Sequence, residues 1–246
     1  MSAGGDTTAA ALIIGAEVLS GKVDDQNGPF LIRSLRERGV RLVEIRILDD
    51  HVPTIAAAVR ELAARVDHLF TTGGIGPTHD DVTIGAIAEA LGVPVVHHPE
   101  LVARVAQRYG EGNEGPHMRL AEVPQGAEVR LTPDAVVPAV RAGNIVILPG
   151  VPSLMRIAFS NIAADLTGAT FFSKGLLLDC SESAIAPGLA DVQHAHADVS
   201  IGSYPRFDDA HYRVKVTVDG RDEAAFDATM ADLRAALGAD CIVGEV

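Results

Sequence analysis

The residues best suited to chemistry lie in one stretch, residues 71–83, which reads Thr-Thr-Gly-Gly-Ile-Gly-Pro-Thr-His-Asp-Asp-Val-Thr. Its closely spaced glycines permit positive φ and remove side chains that would hold a ligand away from the backbone. The helical pattern that follows would point free N–H groups at an anion. Carboxylates at Asp80 and Asp81 would repel a phosphate unless a cation lay between them. We therefore predict a phosphate-plus-metal site in which Asp81 binds Mg²⁺ or a similar hard ion.

A simpler interpretation makes this stretch only a tight turn. Asp80 and Asp81 would then be helix N-caps, a position that Asp favours. For a short Gly-Gly-x-Gly motif taken alone, this interpretation is the more frequent one, because short glycine motifs often occur without a ligand. Both interpretations, a helix cap and a binding site, are compatible with the residue types at 71–83.

Two further glycine turns stand between a predicted strand and a predicted helix. One runs from Gly15 to Gly21 and the other from Gly150 to Ser153. The first is not a P-loop, because five residues instead of four separate its glycines and Lys22 precedes a valine instead of Ser or Thr.

Short strands alternate with helices over residues 1–168, which we predict to be one domain. Such alternation implies right-handed crossovers and a mostly parallel sheet, whose binding crevice lies at the carboxyl ends of the strands. All three glycine turns follow strands and precede helices, so they should meet around one pocket. A bound phosphate should contact the N–H groups of Gly74 to Gly76. The predicted strands are 9–14, 40–48, 68–70, 93–96, 127–131 and 144–148. The predicted helices are 26–38, 53–64, 80–91, 100–109 and one ending near 166.

The string at residues 72–83 resembles the signature of the molybdopterin-binding fold. This fold is shared by molybdenum-cofactor biosynthesis proteins, CinA-like (competence/damage-inducible) proteins and the amino-terminal domain of eukaryotic FAD synthases. The Ile-Gly-x-Glu-x-x-x-Gly pattern at 14–21 and the Pro-Gly-Val-Pro element at 149–152 resemble the same family. Two segments depart from the family pattern. Residues 25–27 are Asp-Gln-Asn where the family often has Asn-Thr-Asn, and residues 137–140 are Val-Pro-Ala-Val where the family often has Ala-Pro-Gly-Phe.

The resemblance implies a three-layer α/β fold and places Glu17 and Asn27 at the site. We predict Asp81 and Glu17 as the catalytic, metal-binding pair. The predicted ligand-binding residues are Gly15, Asn27, Thr72, Gly73, Gly74, Gly76, Pro77, Thr78, Gly150, Pro152 and Ser153.

The pattern changes near residue 169, where we place a second domain, residues 169–246. We predict strands at 171–179, 199–204, 212–218 and 241–243, of which the second and third flank a turn at Asp208-Asp209. The predicted helices are 182–195, interrupted near Pro187-Gly188, and 222–237. The order βαββαβ is ferredoxin-like. Its first and last strands should pair antiparallel and bring Cys180 close to Cys241, unbonded in a reducing cytoplasm.

The resemblance to CinA-like proteins extends through this second domain. Longer CinA proteins continue into a pyridine-nucleotide amidase domain beyond the point where this chain ends. We therefore expect amidase activity to be absent.

Composition narrows the class of partner. The net charge of −13 argues against nucleic acid. No apolar run approaches the ~20 residues of a membrane span, and the first residues lack signal-peptide features, so we expect no membrane partner and a cytoplasmic location. Hydrophobic residues make up 48% and aromatic residues only 4%, which suits an α/β core of Ala, Val, Leu and Ile. We expect a homo-oligomer that binds a small phosphorylated molecule.

Three functions remain open from the sequence. The first is metal-dependent hydrolysis of a nucleotide pyrophosphate such as ADP-ribose or FAD, which the resemblance implies. The second is non-catalytic binding of molybdopterin or another phosphorylated pterin. The third is a structural role with a vestigial site.

Overall fold

The computed structural model describes residues 7–110, 115–130, 137–207 and 211–246. The chain divides between Gly168 and Ala169 into two compact units. Within the described ranges, no helix combines the length and apolar character needed to cross a bilayer.

The first unit alternates strands and helices over most of its length. Its strands are β1 (Thr8–Ile14), β2 (Arg41–Leu48), β3 (His68–Thr72), β4 (Val95–His97), β5 (Glu122–Pro124), β6 (Glu128–Arg130), β7 (Ala139–Ala142) and β8 (Ile145–Leu148). Its helices are α1 (Ala16–Leu19), α2 (Asn27–Arg36), α3 (Val52–Ala63), α4 (Thr83–Leu91), α5 (Pro99–Tyr109) and α6 (Pro152–Ser160), with 3₁₀ turns at Pro116–Ala121 and Ala163–Asp165.

Six of these strands form one sheet in the order β2-β1-β3-β8-β7-β6. The first four run parallel, and β7 and β6 continue the sheet antiparallel. The prediction of a mostly parallel sheet is therefore confirmed. Strands β4 and β5 pair separately as a short antiparallel ribbon.

Strand β1 shows why the sheet lies between two helical layers. Its residues Ala10, Leu12 and Ile14 pack into the core that includes α3, α4 and α5, whereas Ala9 and Ala11 pack toward α2 and α6. A strand buried on both faces must be apolar throughout, as Thr8–Ile14 nearly is. This arrangement gives the three-layer α/β fold expected from the resemblance.

Several boundaries in the first unit differ from prediction. Strands β5 and β7 were not predicted, because each is only three or four residues long and contains or adjoins a proline, so a periodic pattern has no room to appear. Helix α6 ends at Ser160, earlier than predicted, and a 3₁₀ turn takes up the following residues. The end of the predicted strand at Leu131 lies outside the described residues.

The second unit has the predicted order. It contains β9 (Phe172–Leu178), α7 (Glu182–Ala195), β10 (Ser200–Pro205), β11 (Val214–Gly220), α8 (Glu223–Leu237) and β12 (Ile242–Glu245). The sheet order is β10-β11-β9-β12, with every neighbouring pair antiparallel. This is the ferredoxin-like arrangement. The predicted turn at Asp208-Asp209 lies outside the described residues.

Helix α7 corrects one prediction, because it continues through Pro187 without a break. The proline lacks the N–H that would donate to the carbonyl oxygen of Ser183. The free-energy cost is therefore mainly the loss of one hydrogen bond near the start of the helix. Burial of Ile185, Leu189 and Val192 in the core of this unit holds the helix on both sides of that turn.

The two cysteines give a mixed result. Their Cα atoms lie 5.6 Å apart, so the predicted proximity of Cys180 and Cys241 is confirmed. The prediction that they are unbonded is wrong, because the structure joins them in a disulfide. The Cα separation lies within the range that a disulfide spans.

Candidate functional site

Three glycine turns of the first unit border one cleft of about 680 Å³. Gly15 follows β1, Gly73 follows β3 and Gly150 follows β8, and these three strands are neighbours in the parallel part of the sheet. The prediction that the turns meet at one edge is confirmed. We call the surface formed by Gly15, Gly73–Gly76 and Gly150 the glycine wall.

The turns approach each other so closely that a side chain would collide at Gly73 and be crowded at Gly150. Gly73 has φ +100°, and a Cβ atom there would collide with the carbonyl oxygen of Ile14. A Cβ atom on Gly150 would lie 3.0 Å from the Cα atom of Gly73. The backbone of the β3 turn is thus in direct contact with the other two turns. Backbone peptide groups therefore form this part of the cleft surface.

Helix α4 closes the β3 turn through its first residue. The hydroxyl of Thr83 donates to the carbonyl oxygen of Gly73 at 2.8 Å, and its backbone N–H donates to the carbonyl oxygen of Gly74 at 2.9 Å. A Cβ atom on Gly74 would collide with the Thr83 hydroxyl. Two carbonyl oxygens that would repel an anion are therefore already hydrogen-bonded.

Asn27 joins two of the turns from behind. Its buried side-chain amide donates to the hydroxyl of Thr72 at 2.8 Å and to the carbonyl oxygen of Gly150 at 2.7 Å. The Thr72 hydroxyl donates in turn to the carbonyl oxygen of Pro149 at 2.8 Å. Because that hydroxyl uses its proton on Pro149, it accepts from Asn27, which fixes the orientation of the amide.

Asp81 is held by its own turn and does not cap the helix. One carboxylate oxygen accepts from the backbone N–H of Thr78 at 2.8 Å and from its hydroxyl at 2.5 Å. The residue before α4 is Val82, and no side chain caps that helix end. The interpretation of Asp80 and Asp81 as helix N-caps is therefore wrong.

Five carboxylates line the cleft: Glu17, Asp50, Asp80, Asp81 and Glu122. Asp50 accepts from the backbone N–H of Ala16 at 2.9 Å. Polar contacts with Thr78 and with its own backbone lower the pKa of Asp80, so this group stays charged at neutral pH.

The carboxylates set limits on how a metal ion could be held. In the described part of the chain, no three or more His, Cys, Asp or Glu side chains are grouped as a metal cage. Mg²⁺ commonly takes one or two carboxylates together with phosphate oxygens and water. An ion held by Asp81 and Glu17 would therefore have to take its remaining ligands from a phosphorylated ligand and from water.

A second part of the cleft lining, contributed by α5 and the 3₁₀ turn after it, was not predicted from the sequence. Arg104, Arg108 and Tyr109 of α5 line the cleft together with His117 and Arg119. Helix α5 also contributes apolar side chains, Leu101 and Val105. We call this surface, residues 101–109 and 117–120, the helical wall. A signal existed for two of these residues, because arginines four apart on a predicted helix share a face.

Arg119 ties the helical wall to the glycine wall. Its guanidinium donates to the backbone carbonyl oxygens of Thr78 and Asp81, the second at 2.6 Å. On the same wall, the rings of Tyr109 and His117 stack in parallel at 3.9 Å between centroids. Both contacts join residues that no motif links in the sequence.

The structure separates the predicted site residues into three groups. Those that line the cleft are Gly15, Glu17, Gly73, Gly74, Gly76, Pro77, Asp81 and Gly150. Asn27, Thr72 and Pro152 line a smaller cavity of about 50 Å³, which also touches Glu17 and Gly150. Thr78 contacts Asp81 but, like Ser153, lines neither space.

Comparison with known proteins agrees with this architecture. Residues 10–168, more than half of the chain, match the family model described as a probable molybdopterin binding domain. The chain belongs to this family. Residues 170–246 match a second model, the middle domain of FAD synthase. The resemblance to the molybdopterin-binding family that the glycine motif indicated is thus confirmed.

Individual relatives of this molybdopterin-binding family member carry different names. A probable FAD synthase of Caenorhabditis elegans is 28% identical over 92% of this chain, which spans about half (49%) of that relative. A CinA-like protein of Gloeobacter violaceus is 29% identical over 95% of this chain and 59% of its own length. The crystal structure of a CinA protein of unknown function from Thermoplasma acidophilum has a TM-score of 0.60, with 24% identity over 65% of this chain and 98% of the other. That likeness supports the fold.

Proposed function

We propose that this protein hydrolyses a nucleotide pyrophosphate of the ADP-ribose or FAD class in the cleft, with the help of a divalent metal ion. The observation that carries the proposal is the convergence of the glycine wall and five carboxylates on one cleft of nucleotide size. The name of the worm relatives, probable FAD synthase, supports a flavin or adenine nucleotide as the ligand.

The glycine wall would hold the diphosphate. Its backbone N–H groups at Gly74 to Gly76 are the predicted contacts, and the N-terminal end of α4 adds a favourable field for negative charge. Thr83 occupies the carbonyl oxygens of Gly73 and Gly74, which removes two acceptors that would oppose an anion.

Asp81 and Glu17 would hold the metal ion against the diphosphate oxygens. When bound, such an ion offsets the charge that develops on phosphoryl oxygens and makes a water molecule more acidic. In the reaction, the water oxygen bonds to one phosphorus atom while the bond between that phosphorus and the bridging oxygen breaks. A cleft carboxylate takes the proton of the water, and the departing phosphate keeps the bridging oxygen.

A second function is favoured by a different observation. The family model that matches most of the chain is described as a probable molybdopterin binding domain. The same cleft would then bind molybdopterin or a related phosphorylated pterin without turnover. In that case the carboxylates would serve recognition instead of catalysis.

One experiment separates the two functions. The purified protein is incubated with ADP-ribose or FAD, with and without Mg²⁺, and the formation of AMP is followed by chromatography. Metal-dependent AMP formation supports hydrolysis. Stoichiometric binding of a phosphorylated pterin, with no AMP formed, supports the second function. If no ligand changes the melting temperature and no AMP forms, both are wrong.

A further inference from the structure

The helical wall contains a stack of planar groups that phosphate binding does not require. The Tyr109 ring lies parallel to the His117 ring at 3.9 Å, with an angle of 6° between their planes. The guanidinium carbon of Arg108 lies 5.7 Å from the centroid of the Tyr109 ring. All three side chains line the same cleft as the glycine wall.

The cleft is much larger than a phosphate group needs. Its volume of about 680 Å³ falls in the range of sites that enclose a whole cofactor or drug-sized molecule. Apolar side chains line the same cleft, among them Leu101, Val105 and Leu120. Apolar lining beside planar groups suits the flat ring of a ligand better than its phosphates or sugar.

The stack is also fixed relative to the phosphate-binding turn. Arg119 lies two residues after His117 and donates to the carbonyl oxygens of Thr78 and Asp81. The backbone N–H of His98, just before α5, donates to the carbonyl oxygen of Ala121 at 2.8 Å. Both ends of the helical wall are therefore anchored, and the distance from ring site to phosphate site is set by the fold.

We propose that Arg108, Tyr109 and His117 form the subsite that binds the planar heterocycle of the phosphorylated ligand, whose ring extends the stack. The proposal rests on the proposed function, since it concerns the same cleft. It adds the requirement that good ligands carry an aromatic ring system as well as a phosphate. Purine, flavin and pterin rings share this chemistry.

The test compares Tyr109→Leu, which removes the ring that contacts both His117 and Arg108, with Tyr109→Phe, which keeps it. Tyr109 is 40% exposed at the end of α5, so both variants should fold. Binding of ADP, FMN and inorganic pyrophosphate is measured by calorimetry. A stacked base commonly contributes enough to change affinity by about tenfold or more. We expect Tyr109→Leu to weaken ADP or FMN binding about tenfold, to leave pyrophosphate binding unchanged, and Tyr109→Phe to behave as the wild-type protein.

The outcomes distinguish the subsite from the proposed function. Equal binding of ADP by the wild-type protein and the Tyr109→Leu variant, or equal binding of ADP and pyrophosphate by the wild-type protein, overturns the subsite. Ring-dependent binding without any AMP formation from ADP-ribose keeps the subsite and overturns hydrolysis. A larger loss for ADP than for FMN identifies purine as the preferred ring, and the reverse identifies flavin. If the wild-type protein binds none of the three, the subsite is overturned, whereas the proposed function is still decided by AMP formation.

Discussion

The two walls of the cleft present different kinds of atoms to a ligand. The glycine wall offers peptide groups, because almost all residues in Gly15, Gly73–Gly76 and Gly150 are glycines. They have no side chain that could stand between the backbone and a ligand. The helical wall offers side chains: arginines, a tyrosine, a histidine and several aliphatic residues. Peptide N–H groups bind an anion whatever is attached to it, whereas rings and guanidinium groups select among ligands. Under the proposed function, the glycine wall would bind the diphosphate and the helical wall would select the ring attached to it.

The largest expected effect is at Asp81, beside the glycine wall. The substitution Asp81→Asn keeps an oxygen that accepts from Thr78 and so preserves the turn, but it removes the charge that a metal ion needs. We expect the rate of AMP formation from ADP-ribose to fall about a hundredfold or more. Asp80→Asn is the matched control, because this neighbouring carboxylate also lines the cleft. Small and equal losses in the two variants would show that Asp81 holds no metal ion.

The second prediction concerns the stability cost of a side chain in the glycine wall. Gly73→Ala combines a positive φ with a collision against the Ile14 carbonyl oxygen, so we expect the free energy of unfolding to fall by about 3 kcal/mol. Gly92→Ala is the control, since Gly92 has φ +69° but open space around its Cβ position. We expect it to lose only about 1 kcal/mol. Similar losses in denaturant titrations would mean that the close approach to Ile14 is unimportant.

The glycine wall was predictable from sequence because its causes are local. A strand that runs into closely spaced glycines and then into a helix specifies a turn, and parallel strands place such turns at one edge. The alternation of apolar runs also predicted the mostly parallel sheet and the ferredoxin-like order of the second unit. Boundaries were missed where elements are too short to show a period, as at Ala139–Ala142.

The helical wall was not predictable because its contacts are distant in sequence. Arg119 reaches Thr78 across 41 positions, and the stack of Tyr109 on His117 depends on how a 3₁₀ turn packs against α5. Neither pairing follows from residue type. The structural role of Asn27 was not predictable either. The resemblance placed this residue at the site, but its side chain hydrogen-bonds Thr72 and Gly150 and holds the turns together.

A moderate effect is expected where the two walls are joined. Arg119→Ala removes the hydrogen bonds to the carbonyl oxygens of Thr78 and Asp81, so the turn that carries Asp81 loses its anchor. Hydrogen bonds to charged groups contribute about 1.5–3 kcal/mol, so we expect kcat/KM for ADP-ribose to fall about tenfold. Arg130→Ala is the control, because Arg130 pairs with Glu128 and does not line the cleft. Equal effects of the two substitutions would show that Arg119 acts only through overall charge.

The smallest effect is expected at Ser153, which the sequence assigned to the site and the structure places outside both cavities. Its side chain is exposed near the start of α6, and exposed substitutions usually change free energies by no more than about 0.5 kcal/mol. Ser153→Ala should therefore leave kcat/KM within about twofold of the wild-type value. Asn27→Ala is the informative partner, because it removes the buried donor to Thr72 and Gly150 and should lower the free energy of unfolding by about 1–3 kcal/mol. A large loss of activity for Ser153→Ala in a stably folded protein would mean that the glycine wall extends into α6, beyond the residues that line the cleft.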